Sequence, residues 1–151
     1  MLFRSLGVSM LLPVWTRHTR IERVNLNRLR AHATAAAEQC ERLSVPELHP
    51  PQALAAVLAK WPAGRRLVVC DETGGGQPLA SALARLGPGP VAFLTGPEGG
   101  FEETELDSLD EFSFVTRVRL GPRVLRADTA ALAGLAVFQA IAGDWVRPRS
   151  H

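Results

Sequence analysis

With 151 residues, 46% of them hydrophobic and 21% charged, the chain has the size and balance of about one globular domain with a buried core, which excludes a disordered or fibrous protein. A net charge of +2 does not by itself announce a nucleic-acid binder, and no uninterrupted apolar run reaches the roughly 18 residues needed to span a bilayer. The opening MLFRSLGVSMLLPVW has no small-residue cleavage site after its short apolar stretch, so a cytoplasmic protein without a membrane partner is expected.

MLFRSLG reads as the last turns of an amphipathic helix stopped by Gly7, with nothing before it to supply the start. The expectation is a single domain over residues 1–151, truncated at its N-terminus, with a sheet edge that a partner would have to cover. VSMLLPV, Val8 to Val14, reads as a strand. Asn25 to Leu43 reads as a helix, because Leu26, Leu29, Ala33, Ala36, Cys40 and Leu43 recur at steps of three and four. PPQALAAVLAKW begins a second helix with Pro51 in its tolerated first turn, and GRRLVVCDE follows as a strand. After the Gly74-Gly75-Gly76 turn come a short helix from Pro78 to Leu86, the strand VAFLTG and a helix over EETELDSLDE, whose early carboxylates face the positive end of the helix dipole. FVTRVRL is the next strand and Asp128 to Ile141 the last helix.

Strands that are nearly solid hydrophobic and alternate with helices predict an α/β fold, a mostly parallel sheet with helices on both faces. Ligands of such sheets sit outside the carboxyl ends of the strands. Two loops fall there: FLTGPEGGF, Phe93 to Phe101, and LGPRVLRADTA, Leu120 to Ala130. Gly96, Gly99 and Gly100 would let a ligand lie against bare backbone, although a pair of tight strand-to-helix turns would read the same way. DETGGGQP has no Lys-Ser/Thr after its glycines, and no GxGxxG follows a strand, so a phosphate-binding loop is a poor fit.

Cys40 and Cys70 stand in apolar contexts without CxxC spacing, and His18, His32, His49 and His151 lack ligand spacing; buried reduced thiols and no metal are expected. Charge is uneven. Arg17, Arg20, Arg23, Arg28 and Arg30 cluster early, acidic residues crowd 98–111, and Lys60 is the one lysine. The arginines read either as phosphate contacts, suited by the planar guanidinium fork, or as a solvated face.

LTGPEGGFEETEL, followed about 25 residues later by LGPRVLRADTAALAGLAVFQ, and AAAEQCERLSVPEL upstream closely resemble the RsmE family of 16S ribosomal RNA uridine-N3 methyltransferases. These belong to the SPOUT class, whose C-terminal part is tied in a deep trefoil knot. The resemblance implies an S-adenosylmethionine site made largely of backbone, at Leu94, Thr95, Gly96, Gly99 and Gly100 and at Leu120, Gly121, Val124, Leu125 and Arg126. Leu120 and Leu125 would cover the adenine, and Cys70 to Glu72 would border the pocket. It further implies a homodimer paired through the knot region, and 16S rRNA of the small ribosomal subunit as partner. Arg17, Arg20, Arg23 and Arg123 are then the candidate RNA contacts, with a solvated Arg123 as the plain alternative.

Methyl transfer to uridine N3 needs an in-line lone pair and a stabilised imide anion, and N3–H is a weak acid of about pH 9 to 10, roughly like tyrosine. A cation favours that anion, which makes Arg126 the catalytic candidate; a structural salt bridge from Arg126 to Asp128 or Glu98 is the other reading. Glu98 is expected to fix its own loop by accepting backbone N–H bonds. The chain departs from the family in two ways. It reads Arg126-Ala127-Asp128-Thr129-Ala130 where the family reads R-T-E-T-A, and the family's PUA-like RNA-binding barrel, first strand and first helix are expected to be missing. The alternative to an enzyme is therefore a catalytically silent, dimeric SAM- or RNA-binding remnant. The last helix, apolar almost all round, is expected to be buried on more than one side, by core packing and by a dimer partner.

Overall fold

A computed structural model describes residues 6–20, 25–39 and 45–148. Their contacts gather into two compact units, Met1–Lys60 and Trp61–His151, where the sequence predicts no internal boundary. The division falls just before the turn at Pro62-Ala63-Gly64, which reads in sequence as an ordinary helix-to-strand connection.

In the first unit, β1 (Met10–Leu11) pairs in parallel with β3 (Glu47–Leu48), and β2 (Val14–Trp15) with β4 (Gln52–Ala53). The single strand expected over Val8 to Val14 is thus broken at Leu12-Pro13. Proline has no N–H to give a ladder, though the Pro13 carbonyl still accepts the Gln52 N–H at 3.1 Å. α1 spans Leu26–Gln39. It starts where Asn25 Oδ1 accepts the Arg28 N–H at 3.0 Å, an N-cap bond, and it buries Ala33. Its expected end at Leu43, Cys40 included, lies outside the described residues. The second helix does not begin at Pro51. Pairing with β2 keeps the chain extended through Ala53, and α2 (Leu54–Ala59) starts after it, burying Leu54 and Leu58 one turn apart.

The second unit holds one parallel four-stranded sheet. β5 (Arg66–Cys70) lies between β7 (Val91–Thr95) and β8 (Val115–Arg119), and the two-residue β6 (Gln77–Pro78) extends the far side of β8. β5 is buried from Leu67 to Cys70 because both its faces are covered. On one face Val68, Cys70 and Val118 pack with Leu79, Ala82 and Leu83 of α3 (Leu79–Arg85), and with Phe93, Val137 and Phe138. Phe93 and Phe138 meet edge to face at 5.8 Å. Strand alternation puts Leu67, Val69 and Leu94 on the opposite face, where they are also buried. There α4 (Glu103–Asp110) packs on β8, burying Leu106 and Leu109, and its N-terminus is closed by the Glu105 carboxylate accepting the Glu102 N–H at 3.0 Å.

α5 (Ala127–Ile141) packs on α3 and β7. Its Gly134 lets Phe93 approach, since a Cβ there would sit 3.3 Å from the ring. The segment Ala127–Val146 is long and apolar enough, by length and mean hydropathy, to cross a membrane, although Asp128, Gln139 and Asp144 interrupt it. Of its residues Ala130, Gly134 and Gln139 are fully buried, so among the described residues burial on more than one side is not reached: Leu132, Leu135 and Val137 keep partial exposure and Ile141 is exposed. Buried Gln139 accepts the Asp144 N–H at 2.8 Å, which closes a 3-10 turn at Asp144–Val146.

Candidate functional site

The chain leaves β5, makes β7 on one side of it, then crosses to make β8 on the other. Loops leaving β7 and β8 therefore diverge at the carboxyl end of β5, the place where open α/β sheets hold ligands. A cleft of about 810 Å³ opens there, within the size range of small-molecule sites, walled by the loops after β5, β7 and β8.

The loop after β5 is held by a buried ion pair. The Asp71 side chain has no exposed surface. Its Oδ1 accepts the Thr73 N–H at 2.8 Å and the Thr73 hydroxyl at 2.6 Å, and its Oδ2 accepts Nη2–H and Nε–H of Arg117 at 2.7 and 3.2 Å. Arg117 also donates to Asp110 of α4 at 2.6 Å. Burial alone would push the Asp71 carboxyl up, but the Thr73 hydroxyl and the Arg117 guanidinium outweigh it and hold it below the usual carboxylate range. The bond to Asp71 in turn raises the Arg117 pKa. Asp71 is therefore a fixed anion with both oxygens occupied, a structural group. Gly76 ends the same loop against β8: a Cβ there would lie 2.6 Å from the Val118 nitrogen. Burial, and then the charge of Glu72, push the Cys70 thiol up to about 12, so the reduced thiol expected from sequence is present and unreactive.

After β7, the Gly100 N–H closes a turn on the Pro97 carbonyl at 2.9 Å, with Gly100 at φ +70°. Glu98 lies exposed at the cleft and makes no hydrogen bond among the described residues. The carboxylate that fixes this loop is Glu72, whose Oε1 accepts the Phe101 N–H at 2.7 Å. After β8, Leu120 and Leu125 are half-buried, and Gly121 sits at φ +113° in open space.

Of the residues expected to hold a cofactor, Thr95, Gly96, Gly100, Leu120, Gly121, Val124, Leu125 and Arg126 line the cleft together. Cys70, Asp71 and Glu72 border it. Leu94 does not, because its side chain is buried in the sheet and it pairs with Val69 of β5; Gly99, at the exposed tip of the turn, does not either. Arg119, Arg123 and Arg126 rim the opening. The Arg126 side chain is 86% exposed, with Nε 4.0 Å from Asp128 Oδ1, so the pairing with Asp128 exists only as a long, solvated contact. Arg17 and Arg20 are exposed in the first unit, and Arg23 lies outside the described residues.

Sequence reasoning missed Thr73, Arg119 and the Asp71–Arg117–Asp110 network. The available signal was Arg117 itself, a charge inside the apolar strand FVTRVRL that demands a partner. Among the described residues no cluster of His, Cys, Asp and Glu could hold a metal ion.

The chain matches the model of an RNA methyltransferase domain over residues 3–139. It is similar to two proteins named ribosomal RNA small subunit methyltransferase E. The Rickettsia conorii protein is 29% identical over 131 residues, 87% of this chain and 53% of the relative. That of Mycobacterium bovis is 33% identical over 124 residues, 80% of this chain and 46% of the relative. The chain thus spans about half the length of the curated relatives it matches. Among solved structures it resembles ribosomal RNA small subunit methyltransferase E from Neisseria gonorrhoeae bound to S-adenosylmethionine, with TM-score 0.79 and 30% identity over 94% of this chain and 59% of that one. A Legionella pneumophila protein solved in complex with the same cofactor gives 0.74 and 29%, over 90% and 57%. A parallel sheet with its cleft at the crossover strand and a family match over nearly the whole chain lead to one assignment: this chain belongs to the RNA methyltransferase domain family.

Proposed function

We propose that this chain is the cofactor-binding, catalytic part of an S-adenosylmethionine-dependent methyltransferase that modifies N3 of a uridine in 16S rRNA of the small ribosomal subunit. The observation that carries this reading is the cleft at the carboxyl end of β5, lined by the glycines Gly96, Gly100 and Gly121 and by the apolar Leu120, Leu125 and Ala130. That lining suits the cofactor. Leu120, Leu125 and Ala130 offer an apolar bed for an adenine, and the glycines leave main-chain donors and acceptors uncovered by side chains. When bound, the cofactor supplies an electrophilic methyl group on a sulfonium. The protein's part is to place the base in line and to favour its imide anion, and Arg126 on the rim is the cation we assign to that task. Arg123, with Arg17, Arg20 and Arg23, would meet RNA phosphates.

The remaining features belong to the same reading. The loops after β7 and β8 would form a trefoil knot, the half-exposed residues of α5 would pair two copies into a homodimer, and the enzyme would work in the cytoplasm without a membrane partner. Residues 1–151 would act as one methyltransferase domain despite the two compact units. The silent SAM- or RNA-binding remnant draws on one observation, that Arg126 is exposed and held only by its long contact with Asp128, so nothing buried pre-positions it.

Calorimetric titration of the 151-residue chain with S-adenosylmethionine and S-adenosylhomocysteine comes first, and one saturable site per chain is expected. Incubation with labelled donor and small subunits lacking the modification should then yield 3-methyluridine. Donor binding without incorporation would favour the remnant, and a folded chain that binds neither ligand would overturn the cofactor site.

A further inference from the structure

Glu72 is a half-buried carboxylate in the cleft wall whose partner lies 29 residues away. Its Oε1 accepts the Phe101 N–H at 2.7 Å, the short length of a charge-assisted bond. Its side chain also fills the space over Gly100. A Cβ on that residue would stand 3.0 Å from Glu72 Cδ and nearer still to Oε1, and Gly100 is at φ +70°, so glycine is required twice over. At the loop's other end the buried Phe101 ring lies against Gly96, 3.0 Å from where a Cβ would be. The segment between them, Gly96 to Phe101, is thus pinned by a ring at one end and by a carboxylate at the other. Gly96, Pro97 and Gly100 of that segment form the cleft wall.

We infer, on the cofactor reading given above, that Glu72 is a positioning residue: through the Phe101 amide it holds the Gly96–Phe101 loop in the shape that admits S-adenosylmethionine. It acts as a hydrogen-bond acceptor, and neither its charge nor its basicity touches the ligand. A glutamine keeps an oxygen in the same place, whereas alanine leaves the amide without its partner.

Two readouts separate this inference from the reading beneath it. Amide hydrogen exchange at Phe101, followed without any ligand, should be slow in wild type and Glu72→Gln and at least about 10-fold faster in Glu72→Ala. Titration with S-adenosylmethionine should give Kd values within about 3-fold for wild type and Glu72→Gln, and a Kd about 10- to 100-fold weaker for Glu72→Ala. Should the alanine variant fail to fold, Glu72→Met keeps the length of the side chain without a strong acceptor. Unchanged Phe101 exchange or unchanged affinity in the acceptor-less variants overturns the inference. So does Glu72→Gln losing as much affinity as Glu72→Ala, which would mean that the charge acts on the ligand directly. If wild type binds no cofactor, the cofactor reading fails, and Phe101 exchange still decides whether Glu72 clamps the loop.

Discussion

Removing Arg117 tests whether its buried contact with Asp71, beside the cleft, is an ion pair or merely a close approach. Arg117→Ala takes both donors from Asp71 Oδ2 and leaves Oδ1 with its two Thr73 bonds, on a carboxylate with no exposed surface. Breaking a buried pair by deleting one partner costs about 3–5 kcal/mol; Arg117 keeps 19% of its side-chain surface exposed, so water reaches the gap and the low end, about 3 kcal/mol, applies. For a chain of this size that lowers Tm by about 6–12 °C at pH 7. Adding Asp71→Asn should recover part of the loss, because an amide costs less to bury unpaired than a carboxylate. The pH dependence has a definite sign. Asp71 is held below its ordinary value in the folded chain, so on acidification the unfolded chain takes up the proton first. The stabilisation is complete above about pH 4 and disappears as pH falls through the folded pKa, so the gap between wild type and Arg117→Ala should close toward pH 3. Melts followed by circular dichroism at both pH values decide it. A gap under 2 °C at pH 7, or one that stays constant with pH, refutes the argument.

Three other perturbations have equally defined outcomes. Gly76→Ala drives a Cβ into the backbone of Val118, which cannot move without breaking the β6–β8 pairing, and should cost about 3 kcal/mol or more in urea unfolding; a wild-type midpoint would show that the turn yields. Cys70, buried and with its thiol pushed up to about 12, should resist iodoacetamide at pH 8 in the native protein and label fully in guanidinium, as peptide mass spectrometry would report; native labelling at the denatured rate would contradict the burial. Arg126→Ala should reduce methyl transfer about 100-fold while leaving donor affinity within about 3-fold, and intact turnover would remove Arg126 from the chemistry.

Legibility in the sequence followed the strength of local signals. β5, β7 and β8 were readable within two residues at each end, β5 and β7 as apolar runs bounded by Gly, Pro or a charge and β8 from its β-branched residues, and α3, α4 and α5 because their period is long enough to count. The short strands β3, β4 and β6 were not readable. Two residues carry no period, and Gln52–Ala53 is extended only because β2 captures it, a tertiary decision that overrode the helix pattern starting at Pro51. The same holds at the site. The glycine loops announced themselves, but the assignment of a loop-fixing carboxylate to Glu98 erred toward the nearest residue in sequence, and the acceptor of the Phe101 amide proved to be Glu72, on a different loop. Long-range hydrogen bonds leave almost no trace in a single sequence.

Strand order explains why those loops end up together. β5 pairs with β7 along one edge and with β8 along the other, and all three run in the same direction, so their carboxyl ends share one side of the sheet. Asp71 and Glu72, the two residues after β5, reach one neighbour each. Asp71 turns toward β8 and takes Arg117; Glu72 turns toward the loop after β7 and takes Phe101. A cleft bounded by main chain is usually easy to collapse, since glycine loops have little packing of their own. Here the adjacent carboxylates of one dipeptide tie the loop after β5 to β8 through Arg117 and to the loop after β7 through the Phe101 amide, although neither residue needs to touch what binds in the cleft.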